Sequence, residues 1–376
     1  SSRRRHTRYA DRSRGLGDVY KRQAYGLARG ASYDLELLKD RHSSVQTIDV
    51  APYLRARAGA RLQLGTACEN LYLCCQPDTY GAIFRLLEPS EIAGAYRVGR
   101  WVWETPIFPR DWRFAEDLVH EVWTPSAYSA QAIRRGTGLP VTVVRHAVSP
   151  PPNTGLDMRA RLGIPKDAFM GLAVMDIQPC PVRKNPWAHV LAWREAFGGD
   201  PSAVLVLKLR ISKRTQLVVD ELHDLTSGVD NVCLLTEELD GVEIASPHHS
   251  ADMFLSLHRA EGFGLGIVEA LLLEKPVVAT DWSANAEYGP EFGTYYPVPY
   301  ALVPYRDWMG HYPQRNFVWA DADVGEAAKL IKYVYDHWTG VPAEPRPVQL
   351  TLSTATSTSP APPARLDQML ANKGAN

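Results

Sequence analysis

The second half of the chain alternates short apolar runs with amphipathic stretches. Each run is too uniformly apolar for a solvent-facing sheet, which is typical of parallel strands that are buried on both faces. The stretches between the runs have helical periodicity, so the pattern predicts repeated right-handed βαβ units and a parallel sheet. The predicted strands are residues 169–175, 203–211, 232–236, 253–258 and 276–280, and the predicted helices are residues 186–197, 213–225, 239–250 and 265–273.

The first half has a similar but less complete pattern. Its apolar runs predict strands, and one amphipathic stretch predicts a helix with Ser126 as its N-cap. The predicted strands are residues 45–50, 96–103, 120–124 and 141–144, and the predicted helix is residues 126–134.

The Pro-rich stretch 149–153 can continue neither a helix nor a central strand, and it therefore predicts a linker. The chain is expected to fold as α/β, with two Rossmann-like domains and a flexible tail rich in Pro, Ser and Thr. The predicted segments are an incomplete first domain at 24–148, a linker at 149–156, a second domain at 157–340 and a tail at 341–376.

Residues 1–23 differ from the rest of the chain. They carry seven Arg and one Lys against two Asp, show no periodicity, and resemble translated sequencing-adapter read-through, so we interpret them as non-native. Without them Lys+Arg falls from 41 to 33 and Asp+Glu from 42 to 40, which gives a net charge near −7 instead of −1. This balance argues against a nucleic-acid partner, and Gly15-Leu16-Gly17 is excluded as a phosphate loop.

No apolar run approaches the roughly 20 residues that a membrane-crossing helix needs. The five cysteines include an adjacent Cys74-Cys75 pair and no C-x-x-C element, which suits a reducing compartment. A cytoplasmic location is expected. Peripheral contact with the inner face of the membrane through the aromatic and basic residues 97–113 stays open, although a core strand explains half of them more simply.

The strongest chemical signal follows one predicted strand and opens a predicted helix, at residues 258–270. Gly262 and Gly264 let the backbone approach a ligand there, and the first free N–H groups of the helix favour phosphate. Glu261 lies before the helix and Glu269 about one turn inside it. Both carboxylates can face one crevice and accept hydrogen bonds from sugar hydroxyls.

Two glutamates separated by seven residues, with Gly-Phe-Gly-Leu between them, resemble the signature of retaining GT-B glycosyltransferases of the "group 1" family, of the family-four type. The resemblance covers roughly residues 96–337, and its further matching segments are residues 99–104, 121–126, 183–186, 276–280 and 283–285. It implies a GT-B fold, with two Rossmann-like domains whose parallel sheets face a cleft. It also implies a nucleoside-diphosphate sugar donor, retention of configuration and no metal.

The resemblance also implies roles for individual residues. Glu261 would contact donor-sugar hydroxyls near the reacting carbon, and Glu269 would hold the ribose diol. The donor site would be lined by Gly262, Phe263, Gly264 and Leu265. Each residue type also has a structural explanation, because a glutamate in a first helical turn complements the helix dipole and glycines after a strand make turns.

Arg183 and Lys184 lie between the first predicted strand of the second domain and its first helix. Their positive charges would stabilise the negative charge that grows on a leaving diphosphate. A solvated basic turn is the alternative. The preceding loop 176–182 lacks the Gly-Arg of many relatives, which leaves the full set of basic residues open.

In the first domain, Trp103 and Glu104 end a predicted strand, where relatives place groups on the acceptor side. Pairing of Glu104 with Arg100 or Arg110 is an equally good explanation. His120 and His146 are expected to be structural, because nothing in the sequence places a nucleophile or acid beside either.

Asp321-Ala322-Asp323 resembles the metal-binding Asp-x-Asp pair of the other major glycosyltransferase architecture. These residues precede a predicted helix at 324–337, so helix capping is the expected role. The sequence has no His-Glu-x-x-His element and no Cys/His cluster. We therefore expect neither a metal nor another cofactor.

Together these features predict an enzyme of glycan biosynthesis, a metal-independent glycosyltransferase of the hexosyltransferase type. Its partners would be a nucleotide sugar and a glycan or lipid-linked acceptor. A sugar-nucleotide epimerase or hydrolase on the same architecture is an alternative, since fold does not fix reaction. An inactive sugar-nucleotide-binding remnant is another, because the first strand and glycine-rich loop expected near the start are absent.

Overall fold

The computed structural model describes residues 18–338, apart from 42–44, 51, 54–60, 63, 65–66, 240–242 and 313–315. The predicted tail at 341–376 and residues 1–17 of the segment interpreted as non-native, including Gly15-Leu16-Gly17, lie outside the described residues. The chain divides into two units, the first reaching Ala147 and the second beginning at Val148.

The first unit contains a four-stranded parallel sheet in the order β1-β2-β3-β4. Its α4 helix begins after Ser126, whose hydroxyl accepts a 3.1 Å hydrogen bond from the Ser129 N–H, so the predicted N-cap is confirmed. The strands are β1 (Asn70–Leu73), β2 (Tyr96–Arg100), β3 (Glu121–Thr124) and β4 (Val141–Val143), and the helices are α1 (Asp18–Arg41), α2 (Tyr80–Leu86), α3 (Pro89–Ile92) and α4 (Ala127–Gly136).

The second unit contains a six-stranded parallel sheet in the order β10-β9-β8-β5-β6-β7. Its strands are β5 (Phe169–Asp176), β6 (Ala203–Arg210), β7 (Val232–Leu235), β8 (Met253–Ser256), β9 (Val277–Thr280) and β10 (Tyr295–Val298). Its helices are α5 (Met158–Leu162), α6 (Pro181–Lys184), α7 (Pro186–Phe197), α8 (Gln216–Thr226), α9 (Ser246–Ser250), α10 (Leu265–Leu272), α11 (Asn285–Tyr288) and α12 (Val324–Asp336). The parallel α/β architecture that the sequence predicts is confirmed.

The predicted strand at 45–50 is wrong, because these residues form no strand. A short apolar run becomes a strand only where a neighbour offers backbone hydrogen bonds. In the described part of the first sheet, the edge next to β2 is occupied by β1, which comes from the unpredicted segment 70–73.

An antiparallel hairpin adds a further element to the second unit. Strands β11 (Tyr300–Pro304) and β12 (Val318–Ala322) pair with Tyr300 opposite Ala322. Aromatic rings pack along the hairpin and its connecting loop: Tyr305 stacks on Phe317 with centroids 4.4 Å apart, and Trp319 meets Tyr305 edge-on at 4.9 Å. We call residues 300–322 the β11–β12 hairpin.

The main core of the second unit lies on one face of β5 and β6, against α7, α8 and α12. There Phe169 of β5 and Trp193 of α7 are both fully buried and stack with ring centroids 6.1 Å apart. Gly171 lies two residues further along β5, on the same face of the sheet. A Cβ at Gly171 would come within 2.5 Å of the Trp193 ring, so this position needs glycine for the ring to pack.

Over the described ranges, no helix combines the length and apolar character that crossing a membrane requires.

We expect the substitution Gly171→Ala to lower the free energy of unfolding by about 1–3 kcal/mol, because the added methyl group overpacks the core against Trp193. Gly293→Ala is the matched control, since a Cβ there meets nothing within 4 Å. Urea denaturation of both variants and the parent protein measures the effect. Equal stability of the two variants would contradict this account of the core.

Candidate functional site

The carboxyl ends of β5 and β8 form one edge of the second sheet. The two strands are parallel neighbours, with Leu172 opposite Phe254. The segments that follow them therefore leave the sheet side by side, at the edge where α/β sheets bind ligands. One segment leads into α6 and carries Arg183 and Lys184, and the other leads into α10 and carries Glu261.

Arg183, Lys184 and Glu261 meet at this edge, and we call them the donor clamp. Arg183 Nη1 lies 3.3 Å from Glu261 Oε2, and Lys184 Nζ bonds Glu261 Oε1. Their side chains are only 7%, 18% and 13% exposed, respectively. The structure thus brings together three of the residues that the sequence indicated.

Charge determines the protonation of Glu261. Burial by itself raises the pKa of this carboxyl group, but Lys184, Arg183 and His258 together lower it to about 2. Glu261 is therefore ionised at any physiological pH. A carboxylate in this state accepts hydrogen bonds and does not act as a general acid.

The backbone around Glu261 is fixed by residues of the segment 283–285, for which the sequence indicated no role. The Glu261 N–H donates to Ser283 Oγ at 2.9 Å, and the Ala284 N–H donates to the Glu261 carbonyl at 3.3 Å. Ser283 has a φ of 72°, in the left-handed region that non-glycine residues rarely adopt. The match at residues 283–285 was the only sequence signal for this contact.

The backbone next to Lys184 is fixed by a buried histidine. His189 Nδ1 donates to the Asn185 carbonyl at 2.9 Å, and His189 Nε2 accepts the Leu257 N–H at 3.0 Å. Only a neutral imidazole can donate from one ring nitrogen and accept at the other. Burial lowers the pKa of His189 to about 4, which keeps the ring neutral. His189 therefore joins the start of α7 to the end of β8, beneath the donor clamp.

The glycine-rich turn before α10 has the geometry that the sequence predicts. Gly264 has a φ of 85°, and α10 begins at Leu265. The Tyr288 hydroxyl donates to the Phe263 carbonyl at 2.8 Å and lies 3.2 Å from the Gly264 carbonyl. Gly262 and Phe263 are buried. Tyr288, which the sequence did not single out, thus fixes the turn.

Glu269 lies inside α10 and is 1% exposed. Its Oε2 is 3.9 Å from Nε2 of His248, which is also buried and stacks on Phe254 with ring centroids 5.3 Å apart. The structure therefore places Glu269 against α9 and the face of β8, and its contact with a ribose stays a prediction.

Two side-chain contacts hold the loop at 176–182. Arg210 at the end of β6 pairs with Asp176 at 3.0 Å. Burial raises the pKa of Asp176, although Arg210 counteracts this effect. The Gln178 side chain donates to the Ile211 carbonyl at 2.8 Å, so the loop is held along the ends of β5 and β6.

In the first unit, Trp103 is 4% exposed and donates through Nε1 to the Ile107 carbonyl at 2.8 Å. Glu104 is half-buried, and its carbonyl accepts a hydrogen bond from the Tyr128 hydroxyl at 3.3 Å. Arg100 is paired elsewhere, with Asp34 at 2.7 Å, so it does not form the alternative pair with Glu104. The acceptor-side role of Trp103 and Glu104 stays a prediction.

The two histidines of the first unit are buried in hydrogen-bonded networks, as expected for structural residues. His120 Nδ1 accepts the Arg97 N–H at 2.8 Å, and His146 Nδ1 lies 2.9 Å from Asp34 and 3.0 Å from Arg100. Arg97 and Arg100 are 1% and 5% exposed. These two arginines therefore belong to the buried strand β2, and their side chains are not available to a membrane surface.

The Asp-x-Asp segment divides into two roles. Asp323 caps α12, because its carboxylate accepts the Glu326 N–H at 3.0 Å, as predicted. The capping prediction is wrong for Asp321, which lies in β12 and pairs with Arg259 Nη2 at 2.6 Å. A strand was not foreseen before this helix. Among the described residues, no group of three or more His, Cys, Asp or Glu side chains could hold a metal ion.

We expect His189→Gln to lower the free energy of unfolding by about 1–3 kcal/mol at neutral pH, since buried backbone groups lose their partner. In the unfolded chain His189 has its ordinary pKa of 6.5 and is protonated below that pH. In the folded protein its pKa is about 4, so the ring stays neutral down to about that pH. The stabilisation by His189 is thus present above pH 6.5 and lost as pH falls toward 4. Denaturant titrations should show that the difference in free energy of unfolding between parent and variant shrinks from pH 6.5 to about 4. A difference that stays constant would contradict the role of His189.

No family model matches the chain, and no curated protein matches its sequence. Solved structures are similar in fold. HepE from Anabaena, in complex with UDP and glucose, has a TM-score of 0.51 and 19% identity, over 72% of this chain and 69% of that one. Sucrose-phosphate synthase from Thermosynechococcus elongatus has a TM-score of 0.51 and 14% identity, over 71% of this chain and 64% of that one.

S. aureus TarM, in complex with UDP, has a TM-score of 0.48 and 12% identity over 71% of this chain. The chain spans about half of TarM, 48% of its length. At these identities the likeness concerns the fold alone. With its parallel sheets and its likeness to HepE and sucrose-phosphate synthase, the protein has the α/β fold of the GT-B glycosyltransferases.

Proposed function

We propose that the protein is a glycosyltransferase that moves a sugar from a nucleoside-diphosphate sugar to a glycan or lipid-linked acceptor. The observation that carries the proposal is the donor clamp, an ionised Glu261 held by Arg183 and Lys184 beside the Gly262–Gly264 turn. A sugar donor presents hydroxyls and a diphosphate next to each other. The clamp offers an acceptor for the hydroxyls and two cations for the diphosphate.

In the transfer step, the bond between the anomeric carbon and the diphosphate oxygen breaks, and the acceptor oxygen bonds to that carbon. The electron pair of the broken bond stays on the diphosphate, where Arg183 and Lys184 neutralise the growing charge. The acceptor proton goes to the departing diphosphate oxygen. Because the ground state lacks this additional charge, fixed cations stabilise the transition state more than the bound donor and accelerate the step.

Glu261 orients the sugar in this proposal. With a pKa of about 2 it remains a carboxylate that accepts hydrogen bonds from donor hydroxyls. The Gly262, Phe263, Gly264 and Leu265 backbone would line the donor site, and Glu269 would hold the ribose. HepE has been solved with UDP and glucose, so UDP-sugars are the first donors to test.

The finer parts of the proposal follow the sequence resemblance. They are retention of configuration without a metal, a family-four type of hexosyl transfer, acceptor contacts at Trp103 and Glu104, and a role in cytoplasmic glycan biosynthesis. Assays with and without acceptor separate the competing reactions. Sugar transferred to an acceptor supports the proposal, whereas donor that is only epimerised or hydrolysed contradicts it.

We expect UDP to raise the melting temperature of the protein, since a ligand present at 100 times its Kd stabilises the folded state by about 2.7 kcal/mol. Lys184→Ala should reduce this shift, because a cation of the clamp is lost. Lys329→Ala is the matched control, as Lys329 lies on α12 with its side chain 74% exposed. The proposal fails if no nucleoside diphosphate in a panel shifts the melting temperature of the parent protein.

We expect Glu261→Gln to lower kcat/KM by about tenfold to a hundredfold, the usual range for losing a hydrogen bond to a charged group. Since the pKa of Glu261 is about 2, the ratio of parent to variant should stay constant from pH 5 to pH 9. Glu195→Gln, on the exposed face of α7, should leave kcat/KM unchanged. A ratio that varies with pH would show that Glu261 titrates during the reaction.

A further inference from the structure

Arg259 lies two residues before Glu261, in the segment that joins β8 to the glycine-rich turn. Its backbone connects three parts of the second unit. The Arg259 N–H donates to the Arg183 carbonyl at 2.7 Å, and the Arg259 carbonyl accepts the Ala320 N–H of β12 at 3.1 Å. The β11–β12 hairpin is thus joined directly to the segments that carry the donor clamp.

The Arg259 side chain makes two further bonds that point in different directions. Nη1 donates to the Val182 carbonyl at 2.7 Å, and Nη2 donates to Asp321 Oδ1 of β12 at 2.6 Å. The guanidinium also lies 5.9 Å from the ring centroid of Trp319. Because a guanidinium is planar and rigid, fixing one nitrogen on Asp321 fixes the direction of the other toward Val182.

Arg183 makes the reciprocal connection. Its Nη1 donates to the Ala260 carbonyl at 3.1 Å and reaches Glu261 Oε2 at 3.3 Å. Each arginine therefore bonds the backbone of the segment that carries the other. Displacement of Arg259 from Val182 would move the turn that holds Arg183 and Lys184, and with it the two cations that face Glu261.

One carboxylate shapes the loop of the β11–β12 hairpin. Asp307 accepts the Met309 and His311 N–H groups at 2.9 and 2.8 Å. Burial, together with the negative charge of Asp307, raises the pKa of the Cys180 thiol to about 12, so this thiol stays protonated.

The Arg259–Asp321 ion pair is partly exposed to solvent, which limits its contribution to the stability of the fold. The Asp321 side chain is 42% exposed and the Arg259 side chain 17%. Solvent screens such a pair, so it adds little to the stability of the fold. Its geometry nevertheless determines where the guanidinium points, and small displacements of a reacting group lower rates strongly.

We propose that Arg259, oriented by Asp321 of the β11–β12 hairpin, is a positioning residue that sets the spacing between Glu261 and the cations Arg183 and Lys184. The inference rests on the proposed function for its effect on catalysis. Its structural part, the brace between the hairpin and the turn at 181–184, does not depend on that function.

The test compares Asp321→Asn and Arg259→Lys with Asp323→Asn as the matched control. Asp323 is two residues from Asp321 and its side chain caps α12, and asparagine is as good a cap as aspartate. We expect Asp321→Asn to lower kcat severalfold and Arg259→Lys to lower it about tenfold to a hundredfold, with melting temperatures close to the parent. The control should retain the parent kcat.

Hydrogen exchange of the ligand-free full chain provides the second readout. Faster exchange in residues 181–186 and 258–263 of both variants, but not of the control, supports the brace. Unchanged exchange in both segments overturns the proposal, as does a lowered melting temperature with unchanged kcat, which would mean that the pair only anchors the hairpin. If the parent neither binds UDP nor transfers sugar, the proposed function fails, while the exchange measurement still decides whether the brace exists.

Discussion

Largely burying the Glu261 carboxylate costs on the order of several kcal/mol of solvation free energy, and opposite charges and hydrogen bonds at short range offset this cost. Arg183 and Lys184 provide them, which requires that the segments after β5 and β8 lie side by side. Strands β8 and β5 are neighbours in the sheet, and the backbone contacts around Arg259 and His189 hold the segments that follow them side by side. Removal of either cation leaves a partly compensated buried anion, so the local structure and the charge balance depend on each other.

Much of the second unit could be predicted from its sequence, because buried parallel strands such as β5 are largely apolar on both faces and stand out as nearly continuous runs. The glycine-rich turn after β8 and the Ser126 cap have equally local signals. The strand predicted at 45–50 failed because strand formation depends on a neighbour, which a local apolar run does not reveal. The β11–β12 hairpin was missed for a related reason, since it is mostly exposed along β11.

In the candidate site, too, some residues could be predicted from the sequence and others could not. The sequence indicated Glu261, Arg183 and Lys184 because their residue types and positions at strand ends suit a charged ligand. It matched Ser283 only as part of the segment 283–285, without a role, and it did not indicate Tyr288 or His189. These three residues hold the backbone of the segments. Their contacts join residues up to 68 positions apart, as between His189 and Leu257, and no local pattern records such a pairing. Supporting residues of this kind become visible only when the chain is folded.

The sheet order also has a consequence for how the protein folds during synthesis. Strand β5 pairs with β6, its next neighbour in the chain, but also with β8, which the ribosome delivers about 80 residues later. Arg183 and Lys184 are therefore made long before the carboxylate that they face. The ion pair of Arg259 can form only after Asp321, which is synthesised later still. Assembly of this region is thus a late event in translation, and a nascent chain that stalls before β12 lacks the strand that pairs with β11.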